Sequence, residues 1–118
     1  MKYYLVGANW SGEKLNEDFF RRGYWEMGWD DSDQPAFANL RDAMLPGDRI
    51  AIKSMNGKGA STITIHAVGI VKEVYQKRVY IDWKLTDMQR AVPAHGCFAT
   101  IHGPYDSDDN WIHQVFCL

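Results

Sequence analysis

Apolar and polar positions divide the chain into segments of helical and of strand-like spacing. Lys2 to Val6 is a short β-rich run that stops at Gly7, a first strand. Glu13 to Arg22 carries Leu15, Phe19 and Phe20 at helical spacing, with Ser11 and Gly12 before it and Gly23 closing it. Tyr24 to Gln34 mixes aromatic and acidic residues with no clear period. Pro35 to Leu45 predicts a second helix with Phe37, Leu40 and Met44 on one face, ended by Pro46-Gly47. Arg49 to Ser54 then alternates, with Ile50 and Ile52 on one side and Arg49, Ala51 and Lys53 on the other. Met55 to Ser61 reads as a loop. Thr62 to Val74 is a long strand in which Gly69 marks a bulge or bend. After a turn at Lys77-Arg78, Val79, Ile81, Trp83 and Leu85 face one way and Tyr80, Asp82 and Lys84 the other. Cys97 to His102 and Trp111 to Leu118 read as two more strands joined by the acidic loop Gly103 to Asn110. Strands and helices in this order do not alternate as a parallel α/β unit would. The expectation is an α+β fold: a small closed or strongly bent antiparallel barrel, with two or three short helices packed at its openings.

Length changes this picture little: 118 residues make one domain, spanning 1–118. The C-terminal run ends abruptly, which suits a stand-alone domain or one cut from a longer protein. The net charge of -2 argues against a protein that holds duplex nucleic acid chiefly by neutralising phosphates. Cys97 and Cys117 are too few and too far apart for a disulfide framework. With no secretory signal and no apolar run of membrane-spanning length, the expected compartment is the cytoplasm.

The five tryptophans matter more. Trp83 and Trp111 lie in patterned apolar runs, whereas Trp10, Trp25 and Trp29 stand beside Gly, Asn and Asp. In such a setting an indole offers a flat π-face to something planar or cationic.

Four phrases carry a family resemblance across nearly the whole chain. They are Tyr3 to Trp10, Tyr24 to Asp31, Pro46 to Ser54, and Gly96 to His102 followed by Trp111 and Gln114-Val115-Phe116. Together they resemble the EVE-like domains of the PUA superfamily, in particular the N-terminal modules fused to AAA-type ATPases of the methylcytosine-restriction kind. The resemblance implies a PUA-like barrel whose pocket accepts a flipped-out modified base, as the related YTH domains do with methylated adenine. No ATPase segment is present in this chain, so recognition followed by cleavage does not carry over to it.

Reading one flipped base takes aromatic faces and a few edge-directed polar groups. Trp10 and Trp25 are the first candidates for stacking, and Trp29 the third. Asn9 offers a donor and an acceptor, Asp30 an acceptor for an exocyclic amine, and the Ser54 hydroxyl either. Lys53 at the pocket mouth and Lys58 in the glycine-containing loop are candidates for phosphate contact. Each has a plainer reading. The indoles can cap the barrel ends, Asn9 and Asp30 are common turn residues, and strand parity turns Lys53 away from Ile50 and Ile52 as an ordinary solvated lysine.

Other chemistries find less support. His95, Cys97, His102, His113 and Cys117 superficially suggest zinc ligation, but Cys97 and His102 have opposite parity on one expected strand. A Cys97–His95 nucleophile pair would need two side chains at one strand start to converge. Asp30, Asp31 and Asp33 sit in a stretch typical of solvated loops, and Asn56-Gly57-Lys58-Gly59 lacks P-loop spacing. The expectation is therefore a binder without metal or cofactor. Its partner would be nucleic acid with a modified base, DNA rather than RNA, and it would serve discrimination of foreign nucleic acid with an AAA-type ATPase or nuclease in trans. The alternative is a protein-interaction or small planar-ligand module on the same barrel.

Overall fold

The computed structural model describes residues 1–10, 13–14, 16–57 and 59–116, and at 9, 10, 13 and 14 it describes the backbone alone. The elements run β1 (Tyr3–Gly7), β2 (Asn9–Trp10), β3 (Glu13–Lys14), α1 (Asn16–Arg22), β4 (Tyr24–Trp25), α2 (Pro35–Asp42), β5 (Arg49–Met55), β6 (Thr62–Tyr75), β7 (Arg78–Leu85), β8 (Arg90–Pro93), β9 (Ile101–Tyr105) and α3 (Asn110–Phe116).

Strand β1 lies between β5 and β9. It pairs in parallel with β5, from Tyr3 opposite Arg49 to Gly7 opposite Lys53, and antiparallel with β9. A parallel neighbour requires a crossover, and the segment carrying α1, β4 and α2 makes it. The 7-stranded sheet has the order β4-β7-β6-β5-β1-β9, with β8 beside β6. Its end strands β4 and β9 do not pair with each other, so the sheet is mixed and open. Of the closed or strongly bent antiparallel barrel expected above, closure and a wholly antiparallel arrangement are corrected: β4 and β9 stay unpaired with each other, and the helical crossover places β5 alongside β1 in the same direction.

Both faces of the sheet are covered, and the alternation along each strand sorts residues between them. Tyr4, Val6, Ile50 and Ile52 pack with Phe19 of α1 and Ala38 of α2 on one face. Leu5, Ala51, Ile63 and Ile65 pack with Trp111, Ile112, Val115 and Phe116 of α3 on the other. The partner register slips between Ile52 and Lys53, where His66 is passed over on β6. Ile65 and Ala67 consequently belong to opposite faces.

Several elements differ from their sequence reading. The first helix begins at Asn16, because the Glu13-Lys14 backbone pairs with Asn9-Trp10. Only the end of the Cys97–His102 run is strand. The described part of the C-terminal run, to Phe116, forms a helix rather than a strand, since Asp109 Oδ1 accepts from the backbone N–H groups of Trp111 (2.8 Å) and Ile112 (3.3 Å). The Trp111 indole N–H then donates to the Pro93 carbonyl at 2.7 Å and docks α3 on β8. Gly69 does lie at a register shift of β6 against β7, and a Cβ there would sit 2.9 Å from the Asp82 carbonyl oxygen.

Candidate functional site

Beyond the carboxyl ends of β1 and β5 the structure leaves a cleft of about 370 Å³. Gly7, Ala8 and Gly28 form part of its wall, and such small residues leave the main chain close to the cleft. Trp29, Phe98 and Met55 also line it. These three are among the exposed large apolar residues of the molecule, at 50%, 49% and 56%. Exposed rings beside a concave surface mark a binding region better than scattered apolar residues do.

The polar groups lie deeper. Lys53 lines the cleft while only 5% exposed, and its Nζ donates to the Ala99 carbonyl at 2.6 Å. Burial pushes its ammonium below the ordinary lysine value. No carboxylate stands within ion-pair distance of it among the described residues. Next to it, Ser54 Oγ is 2.7 Å from His66 Nε2.

One wall of the cleft, the segment 98–100, is fixed by bonds from several elements. Gly7 N–H donates to the Thr100 carbonyl (2.9 Å), and the Trp29 indole N–H donates to Thr100 Oγ1 (3.1 Å). Ala99 N–H donates to His102 Nε2 (2.9 Å), which makes that nitrogen the acceptor and leaves Nδ1 to carry the ring proton. Burial, helped by the Lys53 charge, lowers the His102 pKa and keeps the imidazole neutral. Cys97 Sγ lies 4.0 Å from the Tyr105 hydroxyl, and burial raises the pKa of both, Tyr105 to about 12.

Of the sequence candidates, Trp29, Lys53 and Ser54 meet in this cleft. Trp25 does not. Its ring is completely buried in the first face's core, and its indole N–H donates to the Gly7 carbonyl at 2.8 Å. It supports the cleft wall from behind and presents no face to a ligand, a correction to its expected stacking role. Asp30 is also corrected: it lines a separate hollow of about 240 Å³ on another side of Trp29. There its carbonyl accepts from the N–H groups of Asp33 and Gln34 (3.0 and 3.1 Å), the turn role its residue type favours. Asp31 in the same hollow pairs bidentately with buried Arg41, both contacts at 2.7 Å.

Lys53 needs a third correction. Parity does turn it away from Ile50 and Ile52, but the second face is also covered, so it is buried rather than solvated at the mouth. Asn9 and Trp10 have their backbone in β2, and their side chains lie outside the described residues, as does the whole of Lys58. Phe98, Met55 and Thr100 were missed. Phe98 follows Gly96-Cys97 in a run that reads as an ordinary strand, and only its exposure distinguishes it.

Of the metal candidates Cys117 lies outside the described residues, and three of the others are engaged separately. His95 stacks on Trp111 with ring centroids 4.8 Å apart, Cys97 adjoins Tyr105, and His102 holds Ala99. Among the described residues no three His, Cys, Asp or Glu side chains converge. Nor is any helix of these residues long and apolar enough to cross a membrane. Neither a family model nor a curated protein matches this chain.

Proposed function

We propose that the protein is a non-catalytic module that binds a modified nucleobase, flipped out of a nucleic-acid strand, in the cleft between Trp29, Phe98 and Lys53. The observation that carries this reading is the pairing of half-exposed rings with a buried polar floor in one cleft. Rings recognise any base face, and polar groups beneath them sort base edges. The pinned Trp29 indole favours stacking, because its orientation is set before a ligand arrives. The resemblance to EVE-like domains of the PUA superfamily points the same way, with DNA favoured over RNA and an AAA-type ATPase or nuclease acting in trans.

Two stacking contacts at ~1–3 kcal/mol each bind a free base weakly, so the surrounding strand must contribute. The test is a tryptophan-fluorescence titration with short single strands carrying a modified cytosine, a methylated adenine or neither. Quenching should depend on the modification and disappear in Trp29→Ala. Flat titrations for every strand, with protein that is folded by circular dichroism, would overturn the reading.

A second reading rests on a different feature. Met55, Gly57, Gly59 and Phe98 line an apolar hollow of about 530 Å³ beside the cleft. It suits a protein partner or a small planar ligand, and binding that ignores nucleic acid altogether would favour this alternative.

A further inference from the structure

We propose that Lys53 makes the cleft selective for a planar ring that buries an anionic oxygen substituent, a carboxylate above all, against its ammonium group. This deepens the base-reading proposal and rests on it: the ligand would be a nucleobase with an acidic substituent rather than a merely methylated one.

The argument begins with the geometry of Lys53. An ammonium group carries three donors, and among the described residues this one has a single acceptor, the Ala99 carbonyl. The side chain is nine-tenths buried yet lines an open cleft, so a ligand there is within its reach. A buried cation with a carbonyl and no carboxylate is an incomplete arrangement, and folding alone gives no reason to keep it.

The surroundings have the right sign. His102 is neutral, as its acceptor role toward Ala99 requires. Burial keeps the Cys97 thiol protonated, so it brings no negative charge to the floor. Asp30 and Asp31 line the other hollow, where Arg41 neutralises Asp31. An anion entering the cleft therefore meets Lys53 with no acid lining the cleft among the described residues. It would complete a charge-assisted hydrogen bond in a poorly hydrated place, where such bonds are strongest. A methyl group in the same position would set apolar atoms against an ammonium that still lacks its anion. The same strand carries the Ser54 hydroxyl to the cleft, a neutral group that suits a second ring-edge atom.

The experiment is a set of calorimetric titrations of the whole chain. The probes are short single strands bearing one 5-carboxyl-, 5-hydroxymethyl-, 5-methyl- or unmodified cytosine, and free quinoline-2-carboxylate as an acidic planar ring that is not a nucleobase. The carboxylated strand should bind at least tenfold more tightly than the methylated one, with the hydroxymethylated strand between them. In Lys53→Met the carboxylated and methylated strands should bind alike. The wild-type ranking decides the matter even if that variant fails to fold. Methylated and carboxylated strands binding equally, both above the unmodified strand, would overturn the role of Lys53 and leave base reading intact. Quinoline-2-carboxylate binding as tightly as the carboxylated strand, and only with Lys53 present, would support the anion site while overturning base reading. Absence of binding by all five probes would overturn both.

Discussion

Lys53 and Ala99 form the bond on which most of the cleft's chemistry turns, and it is an expensive one to fold around. Replacing a buried charge with an apolar residue of similar length is often stabilising, so Lys53→Met should raise the unfolding free energy by about 1–3 kcal/mol at neutral pH. The sign of its pH dependence follows from linkage. Burial lowers the folded pKa of Lys53 below the unfolded value of 10.5, so in that window the unfolded chain binds more protons. The wild type should therefore gain stability relative to Lys53→Met as pH rises toward 10.5, which urea melts at neutral and alkaline pH would measure. Tyr105 acts in the opposite direction, since its folded value of about 12 lies above the unfolded one and stability falls as pH rises between them. Both proteins share Tyr105, so it cancels in the difference. The tryptophans show what was legible at this scale. Trp25 and Trp29 stand in one aperiodic stretch, and composition marks both as unusual without separating them. A bond from Trp25 to Gly7, far away in the chain, decides which indole is core. Trp25→Ala should cost about 3–5 kcal/mol and Trp29→Ala within about 0.5 kcal/mol, with only the latter folding normally while losing ligand-dependent quenching.

At the scale of elements, β1, α2, β5, β6 and β7 could be read from the sequence because their patterns agree with local propensity. Phe37 and Leu40 of α2 pack against the first core as their spacing indicates, and Met44, past the helix end at Asp42 and so outside the expected helical face, packs there too. The C-terminal segment could not be read this way. Trp111, Ile112, Val115 and Phe116 are strand-forming types, and their helical spacing is equally compatible with a short apolar run. The deciding residue is Asp109, whose carboxylate caps the helix, so Asp109→Ala should lower stability by about 1 kcal/mol in thermal or denaturant melts. The Arg41–Asp31 pair ties α2 to the turn that follows β4. Arg41 holds the Asp31 carboxyl below its ordinary value, so this contribution is present at neutral pH and is lost as pH falls through the folded value. Asp31→Asn should be less stable than wild type at pH 7, and the two should converge in strongly acidic solution. Strand β8 and the segment 98–100 escaped sequence reading because long-range pairing, not local pattern, holds them.

For the molecule as a whole, the mixture of helices and strands was legible, whereas the relative direction of β1 and β5 was not. Alternation in β1 and β5 says which residues share a face, but it is silent on whether neighbouring strands run together or opposed. The covering of both faces is likewise a property of the complete fold, and it is why parity alone misjudged Lys53. Global charge bears on binding in a way no single residue does. With a net charge of -2, a strand held in the cleft should release few counterions. Two phosphate contacts would give a slope of about -1.4 for log affinity against log salt, and titrations from low to moderate salt would measure it. A much steeper slope would point to a basic surface in place of a pocket as the main source of affinity. The position of β1 has a consequence for synthesis on the ribosome. It leaves the exit tunnel before either of its partners, since β5 and β9 both follow it in the chain. Until Tyr105 emerges, at least one edge of this apolar strand stands open to another chain, so crowded expression should yield aggregates nucleated at Tyr3–Gly7.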